Sequence, residues 1–204
     1  MMLTENEIKR RLAESLAARD QNPIQEVPIL SEYNNRSPRP AAVLIPMFQW
    51  KANWHVLFTR RNAALPEHSG QVSFPGGRAD PGDSSLEQTA LREAREEIGL
   101  APSDVCVLGR LQTLITVTNY SVTPIVGVIP WPYTLIPAQE EVSRIFMIPL
   151  NWLAEPVNHE QVPRWLPAQA EPVFVTYFKP YDGEVLWGAS ARFTLDLLDA
   201  LLLN

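Results

Sequence analysis

The chain has 204 residues, 46% of them hydrophobic, and its formal net charge at pH 7 is −6. This length and apolar content predict one domain over residues 1–204, and the negative charge argues against a general nucleic-acid-binding surface. Cys106 is the only cysteine, no apolar run reaches the ~20 residues of a membrane span, and the N-terminus lacks a signal-peptide pattern. We therefore expect a cytoplasmic protein with no membrane partner.

The apolar pattern predicts a mixed α/β organisation. Thr4 and Glu7 have the spacing of a capping box before an apolar helical stripe, so residues 1–40 should form an N-terminal helix and a polar connector. A core over residues 41–193 contains eight predicted strands, at 41–48, 55–59, 71–74, 105–111, 122–129, 142–148, 173–178 and 185–187. A C-terminal helix is predicted over residues 189–203. Strands on both sides of a central helix predict an α/β sandwich on a mixed sheet.

Residues 74–100 carry the strongest functional signal in the chain. Gly76 and Gly77 follow a short apolar run, where the backbone is expected to turn sharply. Backbone without Cβ atoms can approach phosphate oxygens closely. Ser84 stands three residues before Glu87, a capping-box spacing that predicts a helix starting at about residue 85. The segment thus predicts a phosphate-binding loop followed by a helix.

Three glutamates of this helix are candidate metal ligands. Glu96 and Glu97 lie three and four residues after Glu93, so the three carboxylates should share one helix face. Hard divalent cations prefer such oxygen ligands. Taken alone, the glutamates favour an ordinary surface helix with pairs such as Arg92 and Glu96. Their fixed offsets from the glycine pair and from Gly99, which should end the helix, favour a metal-dependent pyrophosphate site instead.

The helix carries one half of a known family motif. Residues 92–100, REAREEIGL, match the pattern R-E-U-x-E-E-x-G-U, in which U is an aliphatic residue. The chain therefore resembles the Nudix hydrolases. In the front half of the motif, Gly77 and Asp83 are each one residue too early, so the loop looks lengthened by one residue. The resemblance implies an α/β/α sandwich on a mixed sheet and hydrolysis of a nucleoside diphosphate linked to another group, with Mg²⁺ or Mn²⁺ as cofactor.

The chain also resembles one subgroup of this family, the coenzyme A pyrophosphatases. Residues 57–77 resemble the subgroup signature L-L-T-x-R-[SA]-x3-R-x3-G-x3-F-P-G-G, with Thr59, Arg61 and Gly70 in matching places. Phe58 replaces a leucine of the signature, and Asn62 replaces its serine or alanine. Residues 186–192, LWGASAR, resemble the run I-W-G-x-T-A-R that is common in the same subgroup. The implied reaction converts coenzyme A (CoA) to 3′,5′-ADP and 4′-phosphopantetheine.

One departure from the subgroup signature concerns substrate binding. Pro66 occupies the place of the second arginine, and a guanidinium is a natural bidentate partner for a phosphate such as the 3′-phosphate of CoA. Arg60, Lys51 and His68 are the candidates to replace this missing cation. Another nucleotide substrate is therefore the main alternative.

The family resemblance assigns roles to individual residues. The implied metal ligands are Glu93, Glu96 and Glu97. Arg92 is expected to orient a glutamate, and either Glu96 or Glu141, a downstream glutamate, to act as general base for water attack on phosphorus. The implied substrate-binding residues, which lie in or before the glycine pair, are Arg60, Arg61, His68, Gly76 and Gly77.

Three functions remain open at this point. The first is CoA hydrolysis. The second is hydrolysis of another nucleotide, such as ADP-ribose, NADH or a nucleoside triphosphate. The third is a regulatory module of the same fold that binds a nucleotide without turnover, against which the retained glutamates argue. In each case the expected partner is a small-molecule nucleotide and not a nucleic acid, while the oligomeric state is left open.

Overall fold

The computed structural model describes residues 3–21, 37–65, 68–165 and 171–202, so Pro66 lies outside the described residues. The α-helices within these residues are α1 (Glu5–Gln21), α2 (Leu86–Ile98), α3 (Leu150–Ala154) and α4 (Gly188–Ala200). The strands within them are β1 (Arg39–Trp50), β2 (Asn53–Arg61), β3 (Val72–Ser73), β4 (Gly76–Arg78), β5 (Cys106–Arg110), β6 (Leu114–Ile115), β7 (Tyr120–Val128), β8 (Val142–Pro149), β9 (His159–Arg164) and β10 (Val173–Phe178).

Eight strands form one mixed sheet. Its main path runs β3-β2-β1-β7-β5, while β4 pairs with β1, β6 with β7 and β8 with β2. The β1 and β7 strands are parallel, whereas the other pairs are antiparallel. Strands β9 and β10 form a separate two-stranded sheet. No helix in the described ranges is long and apolar enough to cross a membrane.

Helices cover both faces of the large sheet. Along β1, Leu44 and Phe48 pack with the apolar side of α2, while Ile45 and Met47 belong to the core on the opposite face. That second core includes residues of α1 and α4, such as Leu12. The alternation follows from the two-residue period of a strand, which sends successive side chains to opposite faces. The predicted α/β/α sandwich on a mixed sheet is therefore confirmed.

Several local predictions are wrong in informative ways. The glycine pair lies in strand β4 and not in a sharp turn, because Gly76 and Gly77 pair with Val43 and Ala42 of β1. Residues 185–187 form no strand and contribute only an isolated bridge between Tyr177 and Trp187. Strands β6 and β9 and helix α3 were not predicted. Strand β9, HEQVPR, has no clear apolar alternation and contains a proline, so its pairing with β10 creates it.

Candidate active site

Helix α2 is fixed at both ends by its sequence. At its start the Ser85 hydroxyl accepts a hydrogen bond from Gln88 N (3.1 Å), while the Gln88 side chain accepts one from Ser84 N (2.6 Å). The capping pair is therefore Ser85 with Gln88, one residue later than the predicted Ser84 and Glu87. Gly99 ends the helix in a left-handed conformation (φ 69°), as predicted. Its apolar face packs on β1, which holds the helix against the sheet.

The glycine strand β4 lies directly against the acidic side of α2. A Cβ atom added to Gly77 would lie 2.5 Å from Oε1 of Glu93, and one added to Gly76 would lie 2.6 Å from Cα of Val43. Neither glycine has a positive φ. The two glycines are needed because they have no Cβ atom, and not because they form a turn. Gly77 leaves room for the Glu93 carboxylate, and Gly76 leaves room for the neighbouring strand β1.

Glu97 is a buried carboxylate in an unfavourable environment. Its residue is only 5% exposed, and burial, followed by the negative charges of Glu93 and Glu141, raises its pKa from 4.5 to about 8. Arg61 and the backbone N–H of Gly76 oppose this shift. These contributions show that two further carboxylates and one arginine lie near Glu97.

Glu93 is a second, partly buried carboxylate near Glu97. Burial raises the pKa of Glu93, the nearby Arg92 guanidinium lowers it, and the charges of Glu96 and Glu141 raise it again. The Arg92 Nη1 to Glu93 Oε1 distance is 3.0 Å. When ionised, Glu93, Glu97 and Glu141 repel one another electrostatically, and neutralisation by a cation would relieve that repulsion.

Arg92 is held by an acidic residue of the preceding loop. Its Nε and Nη2 donate to the two oxygens of Asp83, both at 3.1 Å, in a bidentate pair. Asp83 also accepts from the Thr89 hydroxyl and from Asp80 N, both at 2.9 Å. The Arg92 hydrogen bond is the main reason why the pKa of Asp83 lies well below its usual range.

This role of Asp83 was not predicted from the sequence. Asp83 stands one residue early relative to the family motif, and this offset is the signal of its role that the sequence contains. The bidentate pair explains how a loop of altered length still anchors Arg92. Arg92 Nη1 also contacts Glu96 Oε2 at 2.9 Å, so the predicted contact with a glutamate is present.

The three candidate metal ligands do not converge in this structure. Glu96 is 58% exposed at its side chain and pairs with Arg92. Among the described residues, no group of three histidine, cysteine or acidic side chains is close enough to hold a metal ion. The repelling carboxylates Glu93, Glu97 and Glu141 nevertheless have the donor chemistry and the charge that suit a hard divalent cation.

Glu141 reaches this site through the loop before β8. Its N–H donates to Ala138 O (2.8 Å), and Ala138 N donates to Glu97 O (2.8 Å) at the end of α2. The carbonyl of Glu141 accepts from Asn62 N (2.7 Å), directly after β2. The loop therefore links the end of α2 to the end of β2, and it brings Glu141 near the two buried glutamates.

The two adjacent arginines of β2 point in opposite directions. Arg61 lies near Glu97 on the α2 side of the sheet. Arg60 lies 3.5 Å from Glu184, which also contacts Arg144 of β8 at 3.0 Å on the opposite side. Period-two alternation in a strand produces this division. The structure therefore groups Arg61 with the glutamates and does not bring Arg60 to them.

The other two candidate cations have contacts with residues other than the glutamates. His68 sits in an exposed turn, where its Nδ1 is 2.8 Å from Oε1 of Gln71. Lys51 lies in the turn after β1, with its Nζ 4.5 Å from the centroid of the Trp50 ring. Val43 of β1 pairs with Gly76, and Lys51 follows Val43 by eight residues, just beyond the end of β1, so it lies on the order of 25 Å away.

Comparison with known proteins places the chain in a family. The model of the NUDIX domain matches residues 38–186. Two proteins, both named "Uncharacterized Nudix hydrolase NudL", from Yersinia pestis and Yersinia pseudotuberculosis, are 39% identical to this chain over 161 residues, covering 79% of each chain.

Solved structures agree at the level of the fold. A MutT/nudix family protein from Enterococcus faecalis covers 97% of this chain and 73% of its own, with a TM-score of 0.54 and 18% identity. The Nudix hydrolase RenU from M. smegmatis covers 62% of this chain and 81% of its own, with a TM-score of 0.50 and 20% identity. The domain match and the identity to the Yersinia proteins show that this chain belongs to the Nudix hydrolase family and is a pyrophosphatase of that family.

Proposed function

We propose that the chain hydrolyses the diphosphate of CoA, giving 3′,5′-ADP and 4′-phosphopantetheine, with Mg²⁺ or Mn²⁺ as cofactor. The main observation in favour of a pyrophosphatase site is the contact between the glycine strand β4 and the carboxylates of Glu93 and Glu97. Nudix hydrolases use divalent metal ions, and these carboxylates supply the oxygen ligands and negative charge that such ions need. The choice of CoA rests on the subgroup signature in residues 57–77.

The proposed ligands are Glu93, Glu96 and Glu97. Glu93 and Glu97 already lie against β4, and Glu96 would join them by leaving its exposed pair with Arg92. A bound divalent cation neutralises phosphate charge and lowers the pKa of water. Arg92 is held in place by Asp83 and orients the glutamates that its guanidinium contacts.

The chain's own residues position the reactants. Gly76 and Gly77 let the substrate diphosphate or a cation approach the backbone closely. The general base is one of two exposed carboxylates, Glu96 or Glu141, which takes a proton from the attacking water. The water oxygen bonds to one phosphorus while the bridging anhydride bond of the diphosphate breaks.

The subgroup signature has a structural and a functional part. The Thr59 hydroxyl donates to Ser73 O (3.2 Å) and Arg61 N donates to Gln71 O (2.9 Å), so these residues join β2 to β3. The same hairpin carries the Arg61 guanidinium to the side of the sheet where Glu97 lies. We propose that Arg61 binds a phosphate of the substrate, which is the interaction a guanidinium makes best.

A second candidate is hydrolysis of another nucleotide, such as ADP-ribose. Pro66 in the place of the second arginine favours it, and Arg60 lies on the opposite side of the sheet with Glu184. His68 is exposed and forms a hydrogen bond with Gln71. We therefore propose it as a substrate contact only at the outer rim of the active site.

The simplest test identifies products. Purified protein with CoA and Mg²⁺ should yield 3′,5′-ADP and 4′-phosphopantetheine in equal amounts, as separated by chromatography. Recovery of intact CoA, together with cleavage of ADP-ribose under the same conditions, would replace the first candidate with the second. Absence of cleavage of CoA, ADP-ribose, NADH, nucleoside triphosphates and diadenosine polyphosphates would contradict both.

We further propose a single-domain organisation and a cytoplasmic location. Helix α1 is tied to α4 by the Arg19 Nη1 to Asp196 Oδ1 ion pair at 2.8 Å, which supports one domain. Cys106 is free and exposed on β5, and a lone unpaired cysteine suits a reducing compartment.

A further inference from the structure

Strands β9 and β10 form a hairpin that is incomplete on its own. In the described part of the chain, β9 pairs only with β10. A two-stranded sheet is marginally stable at best in water. The hairpin also exposes large apolar side chains, since Phe174 is 61% and Trp165 69% exposed. No other strand among the described residues pairs with the outer edge of β9, so this edge is a candidate for pairing with another strand.

One face of β9 carries opposite charges at symmetric positions. Glu160, Val162 and Arg164 are alternate residues and lie on the same face, opposite Tyr177, Val175 and Val173 of β10 respectively. Glu160 and Arg164 are both exposed. The charges therefore stand two residues before and two residues after Val162.

Both charged groups can accept a new partner. Glu160 has no ion pair or side-chain hydrogen bond within the described ranges. Arg164 donates from Nη2 to the Tyr177 hydroxyl at 2.9 Å, and its guanidinium has further N–H donors. An incoming strand could thus pair with each charge and leave the Tyr177 contact in place.

We propose that β9 pairs with β9 of a second copy of this chain, antiparallel and about a two-fold axis at Val162. This register sets Glu160 of each copy opposite Arg164 of the other, which gives two cross-strand ion pairs. It also sets His159 opposite Trp165, so that exposed apolar surface is covered. The result is a four-stranded sheet with the order β10-β9-β9-β10 across an isologous interface.

The charge pattern specifies this register against its neighbours. A pairing centred on Glu160 would place two glutamates opposite each other, and one centred on Arg164 would place two arginines opposite each other. Edge strands that avoid pairing carry prolines and charges that repel a copy of themselves. Pro163 removes one donor from the ladder on each strand, whereas Glu160 and Arg164 attract in the proposed register.

Charge reversal and charge exchange test the proposal. Sedimentation of the full chain up to about 1 mM should show a reversible dimer, a range that covers weak interfaces. Glu160→Arg and Arg164→Glu should each raise the dimer dissociation constant by about ten-fold or more, because attraction becomes repulsion. The double variant carrying both changes should dimerise like the wild type. Thermal melting and turnover of CoA control for folding, since β9 lies outside the proposed catalytic residues.

Cysteine cross-linking tests the register directly. In a Cys106→Ser background, Val162→Cys should form a disulfide-linked dimer under mild oxidation, because the two Val162 positions face each other across the axis. Gln161→Cys is the matched control and should not, because it faces Pro163 of the second copy. A wild-type protein that stays monomeric throughout, a double variant that fails to recover dimerisation, or preferential cross-linking at Gln161 would overturn the proposal.

Discussion

Replacing Gly77 with alanine should separate activity from stability. The new Cβ would lie 2.5 Å from Oε1 of Glu93, 2.6 Å from its Cδ and 2.7 Å from Oε2, whereas ordinary van der Waals contacts start at 3.4 Å. The Glu93 carboxylate must therefore retreat by about 1 Å, a misplacement that can cost about 100-fold in rate. This loss corresponds to ~2.7 kcal/mol of activation free energy.

The fold should tolerate the same substitution. Glu93 can move by rotating its side chain, and Gly77 has no positive φ that alanine would strain. Alanine also reduces the entropy of the unfolded chain, so the free energy of unfolding should change by less than about 1 kcal/mol. Gly76→Ala is the contrasting variant, because its Cβ would lie 2.6 Å from Cα of Val43. Backbone cannot rotate away, so that variant should be destabilised by about 1–3 kcal/mol.

The assay combines turnover with denaturant unfolding for both variants. Turnover of the substrate identified for the wild type is measured at saturating Mg²⁺, and unfolding is followed in excess chelator. Wild-type turnover by Gly77→Ala would refute the reasoning, because it would show that the position of the Glu93 carboxylate against β4 is unimportant. Equal destabilisation of the two variants would refute the structural distinction between them.

Four further predictions concern charge and metal. Glu97→Gln should lose at least about ten-fold in kcat at saturating Mg²⁺, ~1.4 kcal/mol of barrier, and retention of more than a tenth of wild-type kcat would contradict its assignment as a ligand. Burial favours the protonated form of Glu97 in the folded state, so the melting temperature measured in excess chelator should fall as pH rises from 4.5 to about 8. The Glu97→Gln variant should show a smaller fall. Turnover should vanish in excess chelator, return with Mg²⁺ or Mn²⁺ and return poorly with Ca²⁺, whereas undiminished hydrolysis in chelator would show the acidic helix to be mere surface. Arg61→Ala should lower CoA kcat/KM about ten-fold, to the level of dephospho-CoA, if Arg61 binds the 3′-phosphate; equal wild-type rates on both substrates would exclude that role.

The sequence alone predicted those features of the fold that depend on residues close together in the chain. Helix α2 ends at Gly99 as predicted, because a left-handed residue without a Cβ closes the helix. Strand β10 spans Val173–Phe178, the predicted range, since its branched and aromatic residues favour extended backbone. The alternation of β1 between two cores follows from the period of its apolar residues.

Long-range contacts explain what the sequence did not reveal. Two consecutive glycines indicate a turn by composition, and only pairing with β1 makes Gly76 and Gly77 a strand. The Asp83 pair with Arg92 spans nine residues and depends on the path of a loop. The opposite directions of Arg60 and Arg61 were in principle available from strand alternation. Strand alternation alone therefore predicts that only one of two adjacent arginines lies on the same side of the sheet as the glutamates.

A competition experiment shows which nucleotide the enzyme prefers. Equal concentrations of CoA, ADP-ribose and NADH are incubated with the enzyme and Mg²⁺ in one reaction, and depletion is followed by chromatography. Relative depletion rates give the ratios of kcat/KM for the competing substrates. Coenzyme A should disappear first, with 3′,5′-ADP and 4′-phosphopantetheine accumulating in step. Preferential loss of ADP-ribose or NADH would contradict the CoA assignment and leave the Nudix pyrophosphatase site in place.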